Sequence, residues 1–135
     1  MRNRRLNLEQ YGISQAAYDE LKAFCLQYGE KLAKLGDTYS LKSVNLSSNT
    51  GGHGSSSPTE RAAEIAAKWE SDIEEIRQSA KEADAELEKW IILNATTKRN
   101  TYSVMHDKGL YYSEQRFREA RRRFFYILAK KRGIL

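Results

Sequence analysis

The sequence predicts an all-α fold, on three grounds. Apolar residues recur at steps of three and four in three stretches, 14–35, 59–94 and 113–128, which is the helical period. A residue suited to capping stands at the head of each: Ser14, Thr59 and Ser113. The single proline, Pro58, falls at the start of the second stretch, where a missing N–H costs nothing.

The N-terminal helical element is read over residues 1–35. Arg2, Arg4 and Arg5 form a basic arm, solvated or touching a phosphate or minor groove. Behind Ser14, the residues Tyr18, Leu21, Phe24, Cys25 and Tyr28 keep helical spacing. Gly29 weakens the pattern, and Leu32 and Leu35 continue it. Residues 36–58 lack apolar periodicity and include the run Ser47-Ser-Asn-Thr-Gly-Gly-His-Gly-Ser-Ser-Ser57. This composition predicts a long, disordered Gly/Ser-rich linker. Its Gly-Gly-His-Gly run lacks the Gly-Lys-Ser/Thr ending of a phosphate loop.

Residues 59–135 are read as a helical DNA-binding domain. Ala62, Ile65, Ala66, Trp69, Ile73, Ile76, Ala80 and Ala83 share one register, which runs on through Leu87, Trp90 and Ile91. One helix of about nine turns would leave a small domain without compact packing. A break at Ala83-Asp84 is therefore expected, with Asp84 capping a second helix. A dimeric coiled coil is the alternative, because the pattern persists for more than four heptads. Trp90, Ile91 and Leu93 would start a trihelical unit, packing beneath Met105, Phe117 and Phe124.

The C-terminal stretch reads as a helix-turn-helix over 101–132. Thr101–Lys108 suits a short helix with Tyr102 and Met105 inward. Gly109 breaks it, Leu110 and Tyr112 plug a corner, and Ser113 starts a longer helix that stops at Gly133. With Phe117 at zero on the helical wheel, Phe124 falls at about 340° and Leu128 at about 20°. Ala120 and Ile127 belong to the same apolar side. Gln115, Arg118, Glu119, Arg122 and Tyr126 fall between about 100° and 200°, facing outward. Arg121, at about 40°, is expected to snorkel or to pair with an acid on the 59–83 helix.

Of residues 112–132, eight are Arg or Lys and two are Glu. Residues 59–95 carry five cations and ten acids, and residues 96–135 carry eleven and three. A cationic end beside an acidic middle predicts one surface turned to a polyanion. Nucleic-acid phosphate is the usual one. Gln115, Arg118, Glu119 and Arg122 are the expected base-reading residues, since Arg suits guanine and Gln suits adenine. Lys108, Ser113, Arg116, Arg123 and Lys130 are the expected phosphate contacts, and Lys98 and Arg99 could join them.

Other classes find little support. Cys25 is the single cysteine, so no intrachain disulfide forms, which fits a reducing cytoplasmic location. No apolar run approaches the length of a membrane helix and no signal core follows the first arginines, so no membrane partner is expected. His53, His106 and Cys25 lie too far apart for zinc spacing, so no metal or cofactor is expected. Glu74 and Glu75 fall on the polar face of a helix, and no Ser/His/Asp order or HExxH appears, so no enzyme is expected.

The residues Trp90-Ile-Ile, Thr101-Tyr, Ser113, Phe117, Arg121-Arg-Arg-Phe124 and Leu128-Ala-Lys-Lys carry a family resemblance, as do Tyr11-Gly-Ile-Ser14 and Leu21–Tyr28. The pattern resembles small prophage-encoded proteins of Gram-positive bacteria whose C-terminal end looks like region 4 of sigma factors, as in late-gene regulators of the ArpU and RinA types. The resemblance implies a phage or mobile-element origin and a role in transcription regulation. It places Ser113, Arg118 and Arg122 on a recognition helix.

The expected function is thus a sequence-specific DNA-binding transcription regulator. Its partner would be double-stranded DNA, with RNA polymerase and a second copy of the chain as further candidates. Two alternatives stand beside it: a packaging factor resembling a terminase small subunit, and a protein-binding adaptor of the transcription machinery.

Overall fold

The structure, a computed structural model, describes residues 8–36 and 57–135, and all regular structure among them is helical. A 3-10 turn over Glu9–Tyr11 precedes α1, Gln15–Leu26. Helix α2 covers 28–36 and α3 covers Ser57–Ala83. A second 3-10 turn, Ala85–Leu87, leads into α4, Glu88–Ala95. Helices α5, Tyr102–Asp107, and α6, Glu114–Lys131, complete the chain. The basic arm and most of the expected linker, with His53, lie outside the described residues. At the edges of that linker the chain is helical: Gly36 belongs to α2, and Ser57 and Pro58 open α3.

The chain divides differently from the boundaries read in the sequence. The described residues up to Gln27 cluster with Glu75–Leu135, and Tyr28–Glu74 form a second unit. The helical stretch expected over 14–35 is therefore two helices in two units, parted at Gln27. The residue that ends α1 is Leu26, and the Gln27 N–H already bonds one residue short of the helical pattern, to the Phe24 carbonyl at 3.3 Å. In the smaller unit Leu35, Ala66 and Ile73 are buried together, with Tyr28 and Trp69 packed against them. Lys31 and Asp72 form an ion pair there at 3.0 Å, with side chains only 10% and 13% exposed. Such a pair is best read as fixing helix register, since desolvation offsets much of its attraction.

In the larger unit α1 packs against α4 and α6, and α4 packs against α6. Leu21 and Cys25 of α1, Ile76 and Ala80 of α3, and Leu87 and Ile91 are fully buried. Met105, Phe117, Phe124, Phe125 and Leu128 complete this core. Each large side chain so buried contributes about 1.5–3 kcal/mol of transfer free energy. Where a first helix was expected to lie under Met105, Phe117 and Phe124, α4 packs against α6, and the buried residues there are Leu87, Ile91 and Ala95. Trp90 and Leu93 are only partly covered, and Lys89 Nζ sits 4.8 Å over the Trp90 ring.

The expected break falls at Asp84. Its backbone is extended, with φ −166° and ψ 104°, while its N–H still bonds the Ala80 carbonyl at 3.1 Å. Its carboxylate accepts from the Glu86 N–H at 3.1 Å, a short-range bond that competes with helix continuation. The new helix then starts with a 3-10 turn, tighter than a regular one.

Both C-terminal helices are closed by local chemistry. Thr101 and Ser113 are extended N-caps whose hydroxyls accept from Val104 N at 3.4 Å and Arg116 N at 3.2 Å. Helix α5 ends with Gly109 N–H bonding His106 O and Leu110 N–H bonding Met105 O. Helix α6 ends the same way, Gly133 on Lys130 O and Ile134 on Ala129 O. These are Schellman closures, and the glycines supply the positive φ they require, 116° and 72°. The second closure matches the expected stop.

Candidate nucleic-acid interface

The path from α5 to α6 is held at several points. Leu110 is buried, as expected of a corner plug. The Tyr102 hydroxyl donates to the Tyr112 carbonyl at 2.7 Å, and its ring lies 6.1 Å from that of Phe117. Tyr112 is itself bound sideways: its hydroxyl donates to a Glu86 carboxylate oxygen, and the Arg116 guanidinium lies 4.3 Å over its ring. Glu86, holding that proton, pushes the Tyr112 hydroxyl well above the ordinary phenol value. Tyr111 stacks on Tyr112 with ring centres 4.4 Å apart.

The outward stripe expected along α6 does not run its whole length. Phe125, at about 80° on the wheel, and Ala129, at about 120°, are buried. Phe125 meets the Tyr18 ring of α1 edge-on at 5.1 Å. Tyr126, expected outward, is covered by Tyr11 at 5.1 Å. Packing of the N-terminal helix thus claims a second side of the C-terminal half, which no reading of α6 by itself foresees. Ile127, expected in the core, is only partly buried.

The first half of α6 keeps its open side. Gln115 and Glu119 are exposed and joined by a 3.4 Å hydrogen bond. Arg118 bonds only Glu114, one turn back on its own helix, at 2.6 Å. Arg122 makes no hydrogen bond or ion pair with any described residue, and its Nε is buried without a partner. Of the four residues expected to read bases, Gln115 and Glu119 are therefore exposed and Arg118 and Arg122 half-buried, all on one side of the first half of α6.

The expected phosphate contacts divide. Arg116 is turned inward, with Nε and an Nη on the two Asp84 oxygens at 3.1 and 3.2 Å. Arg123 donates to the Ala83 carbonyl at 3.0 Å and lies 3.9 Å from Asp84. These two guanidiniums bind the frayed end of α3, where carbonyls and a carboxylate gather. Ser113 serves as a cap. Lys108 is exposed and bonds Asn100 Oδ1 at 3.1 Å, and Lys130 is exposed over the Tyr126 ring at 4.7 Å. Lys98 and Arg99, in the loop before Asn100, are exposed. The two other basic residues at the helix end also have carboxylates: Lys131 pairs with Glu82 at 3.0 Å and Arg132 with Glu75 at 3.4 Å.

Arg121 has neither of its expected arrangements. It is half-buried against α1, donating to the Tyr18 hydroxyl at 2.9 Å, with no carboxylate beside it. Burial holds its guanidinium below the ordinary value. Lys22 of α1, a residue the sequence did not single out, is close by. Its ammonium donates to the Asn94 and Ala95 carbonyls at 3.1 and 3.0 Å, where the C-terminus of α4 concentrates negative potential. Burial first, then the Arg121 charge, lowers Lys22 to about 8. No spacing in the sequence could have paired residues more than seventy positions apart.

No family model, no curated protein and no solved structure matches this chain. Among the described residues no group of three or more His, Cys, Asp or Glu could hold a metal ion. No described helix is long and apolar enough to cross a membrane.

Proposed function

We propose that the protein is a DNA-binding transcription regulator in which α5, the Gly109 turn and α6 act as a helix-turn-helix. The observation that carries this reading is Arg122. It is half-buried on the open side of the first half of α6, its side chain makes no hydrogen bond or ion pair with any described residue, and Gln115, Arg118 and Glu119 flank it. A guanidinium without an acceptor among the described residues suits a ligand that brings acceptors, as a guanine edge does. Lys98, Arg99 and Lys108 would contact phosphates from the α4–α5 loop and the end of α5, and Lys130 from the end of α6. Arg116 and Arg123 are left out of the contact set, because Asp84 and Ala83 occupy them.

A prophage origin and a role in late-gene control belong to the same proposal and rest on the resemblance of the C-terminal residues. A shallow apolar groove lined by Glu82, Tyr126, Ile127, Lys130 and Lys131, with a volume of about 430 Å³, favours a second reading. In that reading the helix end docks a protein of the transcription machinery.

Binding to random and enriched duplexes at two salt concentrations tests the proposal. A regulator shows a steep salt slope and a site preference of roughly 10³-fold or more. Arg118→Ala and Arg122→Ala are each expected to lower discrimination by about 1–3 kcal/mol. Salt-dependent binding without site preference would favour packaging, and no DNA binding would favour the adaptor. Unchanged discrimination in both variants would remove these arginines from the readout.

A further inference from the structure

Tyr111 is the most exposed large apolar or aromatic residue described, at 79%, yet its ring is not loose. It stacks on Tyr112 at an interplanar angle of 26°, and its hydroxyl donates to the Tyr112 hydroxyl at 3.2 Å. Tyr112 is anchored in turn by Glu86, by Arg116 over its ring and, through its carbonyl, by Tyr102. Leu110 on one side is buried, and Ser113 on the other caps α6. The backbone on both sides of Tyr111 is thus fixed, and the ring is ordered before any partner arrives. A rigid, solvated aromatic side chain loses little entropy on binding, which is what makes such residues anchors.

The free part of this side chain selects the partner. Its hydroxyl already donates within the protein, so the open group is a π face. A paired base hides its faces in the duplex stack and offers only its edges in the grooves. An unpaired base offers a face, and a ring beside a cationic surface captures it. Tyr111 lies two residues before the cap of the helix assigned above to the duplex, with exposed Lys108 three residues upstream.

Resting on that DNA reading, we propose that Tyr111 is a stacking site for an unpaired base at the edge of the bound duplex, so that the protein prefers DNA with a locally opened position over fully paired DNA. The preference is independent of base identity at that position, because every base has a π face.

The test uses the full chain and two otherwise identical duplexes, one fully paired and one with a single unpaired 2-aminopurine placed in turn at each position along the site. The opened duplex is expected to bind about tenfold more tightly at one register, with quenching of the 2-aminopurine fluorescence there. Tyr111→Ala is expected to abolish both the preference and the quenching while leaving affinity for the paired duplex within about twofold. Tyr111→Phe, which keeps the ring, is expected to retain most of the quenching. Binding to the paired duplex with no preference at any register overturns this proposal and leaves the regulator reading standing. So does a preference that survives Tyr111→Ala. Binding to neither duplex overturns both.

Discussion

The two halves of α6 have nearly the same density of positive charge and meet opposite surroundings. From Arg123 onward most cations meet partners from other segments: Arg123 the Ala83 carbonyl, Lys131 Glu82, and Arg132 Glu75 and the Phe24 ring at 3.5 Å, while Tyr126 packs against Tyr11. Up to Arg122, only Arg116 and Arg121 have partners outside the helix. Charge density therefore does not identify a binding surface. A cation is more available to a partner when no distant segment of its own fold supplies it an acceptor, and that depends on what α1 and α3 bring alongside.

The largest expected effect breaks the braced side. Asp84 takes two bonds from Arg116, lies near Arg123 and caps the turn before α4, with its side chain only 10% exposed. Asp84→Ala is expected to lower stability by about 2 kcal/mol in urea denaturation, from loss of the cap and of a partly buried acceptor. Asp84→Asn keeps a capping oxygen and is expected to lose less. Equal losses would assign the whole effect to the ion pairs.

Lys22 is expected to show an intermediate, pH-dependent effect. Unfolded, it titrates near its ordinary 10.5; folded, it is lowered to about 8. The unfolded state binds more protons between those values, so this residue's contribution to stability rises with pH across that window. Below it the cost of burying the charge is fully present. The denaturation midpoint of the wild type should therefore gain on that of Lys22→Met between about pH 7.5 and pH 9.5. Parallel curves would show that the α4 carbonyls already offset the burial.

The smallest effects separate the two halves directly. Arg132→Ala is expected to cost about 1 kcal/mol, from a partly exposed ion pair and a ring contact. Arg122→Ala is expected to change stability by no more than about 0.5 kcal/mol, since nothing in the fold depends on its charge. If Arg122→Ala costs as much as Arg132→Ala, the contrast between the halves fails.

Much of this molecule was legible in its residues. The helical period, the caps at Ser14 and Ser113, the break at Asp84 and the stop at Gly133 are local features, decided within one or two turns of chain. The shared side of Gln115, Arg118, Glu119 and Arg122 followed from the wheel of one helix, because their mutual placement depends on helix geometry alone. Errors arose where distant segments meet. Tyr126 was misplaced, and the burial of Phe125 was not foreseen, because α1 and Tyr11 cover a second side of α6. Arg116, Arg121 and Arg123 have partners 32, 103 and 40 positions away. Tyr111 passed unnoticed because only the packed corner distinguishes it from any tyrosine in a turn.

By itself the sequence determined where helices begin, break and end, since capping and periodicity act over a few residues of neighbouring backbone. Only the tertiary structure decided which cations brace the fold and which remain available, and that α1 belongs with α6. Those outcomes depend on which acceptors and apolar faces distant segments bring within a few ångströms, and pairwise proximity of that kind leaves no local pattern in the chain.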